Sequence, residues 1–234
     1  MQTALLDNVA HADLRLRRDA GPAFGDAAGQ VPVFLPELSQ IQREYPVLFA
    51  RDKDGVLVPV AILGLEPDEL LFTANGRWDA RYVPAMLRKG PFLLGPSDGN
   101  DPLLHIALDH PKVTEESEGS DPIFLPHGGH APALEDALDA LRMIHAGMEA
   151  TRAMASALDE AGLIQPLALN VQVSDSKAVK FDNFLAILPE AIDALPADTL
   201  GRLSEAGFLQ PAILIAHSLG NLNDLVRRKR MREG

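Results

Sequence analysis

No cysteine occurs among the 234 residues, which excludes disulfide staples, thiolate catalysis and cysteine-ligated zinc. Aromatic residues make up only 5% of the chain, with one Trp and two Tyr, so their placement carries weight. No uninterrupted apolar run approaches the roughly 20 residues that a membrane-spanning helix needs. The opening MQTALLDNVAHADLRLRR has neither a basic start leading into an apolar core nor a convincing cleavage site. The cytoplasm is therefore the expected location, with no transmembrane segment. Neither a G-x-G-x-x-G nor a Walker pattern occurs, so a nucleotide cofactor has no support and no cofactor is expected. Positive charge is the minority sign. A formal net charge of -12 argues against general nucleic-acid binding and favours solubility.

What is present describes a globular protein. Hydrophobic residues are 47% and charged residues 23%, ample for a sizeable core, and the length suits one large domain over 1–234. No internal repeat or low-complexity segment breaks the chain. The acidic loop TEESEGSDP, near 114–122, is the candidate boundary if two lobes exist, and its polarity suggests mobility.

All three Trp and Tyr residues lie between Tyr45 and Leu94. YPVLFA and VLVPVAIL read as two strands joined by the turn DKDG. Pro59 lacks a donor, which predicts an edge strand or a bulge there. Asn75-Gly76 marks a second turn just before Arg77 and Trp78. Pro84 suits the first turn of a helix from about Val83 to Lys89, stopped by Gly90-Pro91, and Phe92 to Leu94 return as a strand.

Elsewhere, LRLR alternation predicts a strand within His11 to Arg17, and VPVF a second one. Pro36 opens a short helix, and LLHIAL is a strand. Leu134, Leu138, Leu141, Ile144, Met148, Ala155 and Leu158 recur at helical spacing, predicting one amphipathic helix over 133–161 ended by Gly162. LALNVQV and FDNFLAIL flank the polar turn SDSKA. Two C-terminal helices follow, over 196–206 and 211–228. This order gives an α+β fold: an antiparallel or mixed sheet, one long amphipathic helix and two C-terminal helices.

The YP-V-F hairpin, the run PVAILGL, the segment GRW-x-x-x-YVPA and the later R-x-x-PF-L together resemble the SapC family, named for a bacterial S-layer-associated protein. The resemblance extends from HADLRL to AHSLGNLNDL, and GRW-x-x-x-YVPA is its most distinctive part. It implies an accessory protein of the cytoplasm or envelope, associated with nutrient-uptake receptors or flavin halogenase-like genes, with a protein partner in nutrient uptake. It carries over no catalytic residues.

Five constellations remain. Ala216-His217-Ser218-Leu219-Gly220 approximates a nucleophile elbow, but no His follows Ser218 and its neighbours read as a helix, so a hydrolase is rejected. His11-Ala12-Asp13 matches the H-x-D of non-haem iron sites, and His105, Asp109, His110, His127 and His130 offer further ligands. No partner strand for His11 is evident, so no metal is expected. An iron-dependent oxygenase using His11 and Asp13 is the rival reading. Glu115, Glu116, Glu118 and Asp121 read as a solvated acidic loop. The tail RRKRMRE complements the dipole of its helix, with an anionic membrane or acidic partner as the alternative.

The expected ligand site is Arg77, Trp78, Arg81, Tyr82 and Arg88. With Lys89 these place four positive charges against Asp79 alone, beside two aromatic rings. Such a surface binds carboxylate or phosphate, so an anionic small molecule or an acidic peptide is the expected ligand. The competing role for Trp78 and Tyr82 is as core anchors.

Overall fold

The computed structural model describes residues 2–26, 29–95, 102–174 and 177–233. Strands β1 (Thr3–Leu5), β2 (Arg15–Arg17) and β3 (Gln30–Pro32) are short. A 3-10 turn at Leu35–Glu37 runs into α1 (Leu38–Ile41). Hairpin β4 (Val47–Arg51) and β5 (Leu57–Ile62) comes next, then the small hairpin β6 (Thr73–Ala74) and β7 (Arg77–Trp78). Helix α2 (Ala85–Arg88) precedes β8 (Phe92–Gly95), β9 (Leu103–Ala107), β10 (Val113–Thr114) and β11 (Ser120–Pro122). The long helix α3 (Pro132–Glu160) leads to the long hairpin β12 (Ile164–Ser174) and β13 (Lys177–Ile187). Helices α4 (Pro189–Asp193), α5 (Ala197–Glu205), α6 (Leu209–Ser218) and α7 (Leu222–Glu233) follow, the last two joined by a 3-10 turn. All strand pairing among the described residues is antiparallel, and the fold is α+β as expected.

The chain forms two compact units. The first comprises Met1–Ala27, Thr73–Asp79 and Ala85–His145, and the second Ala28–Phe72, Ala80–Pro84 and Ala146–Gly234. The acidic stretch 114–122 falls inside the first unit, and the long helix contributes to both.

In the first unit, a β1-β9-β8 sheet turns Phe92 and Ile106 onto Leu134, Ala137 and Leu141 of α3, with Ile123 and Phe124 completing the core. Strand β2 lies between β10 and β11. Its alternation divides the faces: Leu14 and Leu16 pack on the core, while Arg15 and Arg17 bond to Ser120 and to Thr114 and Glu116. Arg18 holds Asp121 through both carboxylate oxygens. The acidic loop is thus pinned at both ends, against the expectation of a mobile linker. Hairpin β6-β7 turns on Asn75 (φ 51°) and Gly76 (φ 71°), two successive positive φ values that a tight two-residue hairpin favours.

The second unit holds a five-stranded sheet, β12-β13-β4-β5-β3. Asp52 organises the DKDG turn by accepting the N–H groups of Asp54 and Val56. Strand β5 is interior, which corrects the edge-strand expectation from Pro59. Ile62 donates to Pro46 across β4, so the polar backbone groups of Pro59 face the β3 side. Strand β3 ends there at Pro32, and only the carbonyl of Pro59 is used, by the Val33 N–H. The missing donor therefore costs no ladder bond. The predicted C-terminal helix over 211–228 is α6 and α7 in series, because Leu219–Asn221 tightens into a 3-10 turn.

Candidate functional site

Of the five residues expected to bind a ligand, Arg77, Trp78 and Arg88 lie in the first unit, and Arg81 and Tyr82 in the second. Arg77 is exposed on β7, beside a half-buried Trp78. The Arg88 guanidinium reaches Asp136 at 3.4 Å. Arg81 exposes its side chain, while its backbone N–H donates to Glu44 at 2.9 Å. The Tyr82 hydroxyl donates to Glu37 at 2.9 Å, and the Tyr82 carbonyl accepts the Tyr45 hydroxyl. Glu37 is 1% exposed, and its other oxygen accepts the Phe34 N–H. One role of Tyr82 is therefore to satisfy a buried carboxylate. The helix following Pro84 has only four residues, too short for an appreciable dipole.

Other expected constellations also settle into structure. Ser218 is 1% exposed at the end of α6, where its Oγ accepts the Val47 N–H at 2.9 Å and donates to the Ile215 carbonyl at 2.6 Å. It ties a helix to a strand. His11 and Asp13 lie in a turn, with His11 Nδ1 accepting the Asp7 N–H. Among the described residues, no three metal-ligating side chains gather in one place. His130 pairs with Glu135 at 2.8 Å.

The basic tail is divided: Arg227, Arg230 and Arg232 are exposed, Arg228 is half-buried and Lys229 is buried. Lys229, with a side chain 6% exposed, contacts Glu66, Glu69 and Glu233. These carboxylates outweigh burial and raise its pKa. Arg228 stacks on Phe72, Arg230 bonds to the carbonyls of Gln172 and Val173, and Arg232 bonds to that of Leu70.

A different cluster surrounds a cavity of about 330 Å³ within the first unit. Its walls are Gly25 and Asp26, Met86 to Pro91 except Arg88, Leu93, Ala107 and His110. Asp26 is 3% exposed and fully engaged: one oxygen accepts the Gly21 N–H and the other takes Lys112 Nζ at 2.8 Å. That pair closes its own charge. Lys89 differs. Its Nζ has only the Gly90 carbonyl at 3.4 Å, and among the described residues it forms no ion pair. Burial pushes its pKa below the ordinary lysine value.

His110 completes the wall. Its Nδ1 accepts the Lys112 N–H at 3.1 Å, so in the neutral ring the proton sits on Nε2, which can donate. Burial, and then the charge of Lys112, lower its pKa and favour that neutral form. Gly25 allows the ring to lie close. Its φ is +84°, and an added Cβ would meet His110 Nε2 at 3.0 Å. The arrangement sets one cation without an ion pair among the described residues and one neutral imidazole, its Nε2 edge against Gly25, beside apolar walls and the closed Asp26–Lys112 pair. Lys89 carries a legible sequence signal, because it adds to the local basic run. Gly25-Asp26 does not, because only the fold brings that loop to His110 and Lys112.

No curated protein and no solved structure matches the chain. The SapC family model matches residues 6–225, taking in both units, the GRW-x-x-x-YVPA segment and the walls of the cavity. The chain belongs to the SapC family.

Proposed function

We propose that this protein is a non-catalytic binding or accessory protein of a bacterial envelope or nutrient-uptake pathway, working in the cytoplasm and taking a small anion. Family membership supports the pathway. The observation that carries the ligand class is Lys89, a half-buried ammonium in a cavity, without a carboxylate of its own among the described residues. A buried cation without a counter-charge is costly, and an anion in the cavity would remove that cost. The neutral His110 Nε2–H supplies a second donor. The oxygenase reading draws no support from His11 and Asp13, which lie together in a turn.

Isothermal titration of the full chain with acetate, butyrate, octanoate and inorganic phosphate tests the reading. At least one should bind, and Lys89→Met should weaken it about tenfold or more, the value of one charge-assisted hydrogen bond. Binding unaffected by Lys89→Met, or no binding at all, would refute the site.

A further inference from the structure

The cavity opens beside the outer face of the β1-β9-β8 sheet. Registers Leu93↔His105 and Leu5↔His105 place Leu5, His105 and Leu93 in one row across three strands. Leu103 and Ala107 of β9 share that face, two residues to either side of His105. The opposite face, carrying Phe92 and Ile106, is committed to the core. On the outer face Leu5 is 51% and Leu103 42% exposed, while Leu93 and Ala107 also line the cavity. The apolar surface therefore runs from Leu93 and Ala107 of the cavity wall past Leu103 to Leu5, flanking the half-buried His105 at the centre of the row, over two strand spacings of about 5 Å each. Its cationic end is Lys89.

We infer that the anion is a medium-chain carboxylate, its head group at Lys89 and His110 and its hydrocarbon chain along Leu93 toward Leu5. This deepens the binding reading above and rests on it. One ammonium and one neutral N–H suit the two oxygens of a monoanion; a phosphate dianion would want more donors than the cavity wall offers. Met86, Leu87, Pro91, Leu93 and Ala107 offer nothing to a purely polar ligand. A hydrocarbon chain would cover them and the row leading to Leu5.

The same titration series decides the matter. Affinity should rise roughly fourfold per methylene from butyrate to octanoate, the worth of a fully buried CH₂. Lys89→Met should weaken every carboxylate. The well-exposed Leu5→Ser, outside the cavity wall, should lower octanoate affinity several-fold and leave acetate unchanged, and Leu93→Asn should weaken octanoate more than acetate, each variant checked for its fold by circular dichroism. Affinity independent of chain length but sensitive to Lys89→Met would overturn this inference and leave the anion site standing. So would phosphate binding more tightly than octanoate, or a peptide with an apolar C-terminus outcompeting it. Failure of every anion to bind in a Lys89-dependent way would remove both.

Discussion

Single side chains here work mostly by satisfying buried partners, and two of them make measurable claims. Ser218 occupies the position that imitates a nucleophile, yet both of its hydrogen bonds go to backbone. Ser218→Ala should lower stability by about 1–3 kcal/mol, because the Val47 N–H loses its acceptor in a buried site. The midpoint of urea unfolding measures this, and an unchanged midpoint would contradict the role. His110 gives a pH dependence. Its folded pKa lies below the usual 6.5, so between those values the unfolded chain binds a proton that the folded ring refuses. Stability from this group is therefore lost as pH falls through 6.5 toward the folded value. The charges acting on the ring are Lys112 and Lys89, which oppose its protonation, and Asp26 and Asp109, which favour it. His110→Gln should flatten the fall in unfolding midpoint between about pH 7.5 and 5.5. A variant as pH-sensitive as the parent would show that the stability change arises elsewhere.

At the scale of elements, the long helix is the clearest example of pattern and packing agreeing. Its apolar spacing predicts 133–161, and the helix runs Pro132–Glu160. Leu134, Leu141 and Leu158 are buried as the stripe requires, but Met148, in the same stripe, is half exposed. The reason is local. Gly147 and Thr151, one turn apart, form the packed face there. An added Cβ at Gly147 would sit 2.8 Å from Pro36 Cδ and 2.9 Å from Phe34 Cβ. Thr151 Oγ1 accepts the Leu35 N–H and donates to the Gly147 carbonyl. The helix thus meets the Phe34–Pro36 segment through small and polar residues that a hydrophobic count passes over. Gly147→Ala gains helix propensity but overpacks this approach, so a net loss of about 1–3 kcal/mol is expected in thermal or urea unfolding. A stabilised variant would show that Phe34–Pro36 can move aside.

For the whole molecule, charge and hydropathy set the expectations. Among the described residues no helix is long and apolar enough to cross a membrane. The net charge of -12 repels anionic surfaces, and within the tail Lys229 is neutralised by Glu66 and Glu69 while Arg227, Arg230 and Arg232 stay exposed. In fractionated cells the protein should appear in the cytosolic fraction, with any membrane-associated portion released by about 0.5 M salt, where surface attractions are screened. Recovery from the periplasm, or retention on membranes through that wash, would contradict the proposed location.

Local chemistry made much of this fold legible. Turn residues at Asp52 to Gly55 and Asn75-Gly76, the period of the long helix and the alternation of β2 act over a few neighbours, so they are written in the sequence alone. The family is legible for the same reason, since the resemblance to it rests in part on the contiguous segment GRW-x-x-x-YVPA, inside the matched residues 6–225. What pairs with what was decided only in three dimensions. Sequence proximity gathers Arg77, Trp78, Arg81, Tyr82 and Arg88 into one expected site, and the fold adds partners that proximity does not show, Glu37 for Tyr82 and Asp136 for Arg88. It also brings Asp26 to Lys112, leaving Lys89 as the cation of the cavity. Charge compensation depends on distances of a few ångströms between segments far apart in the chain, and those distances exist only once the chain is folded.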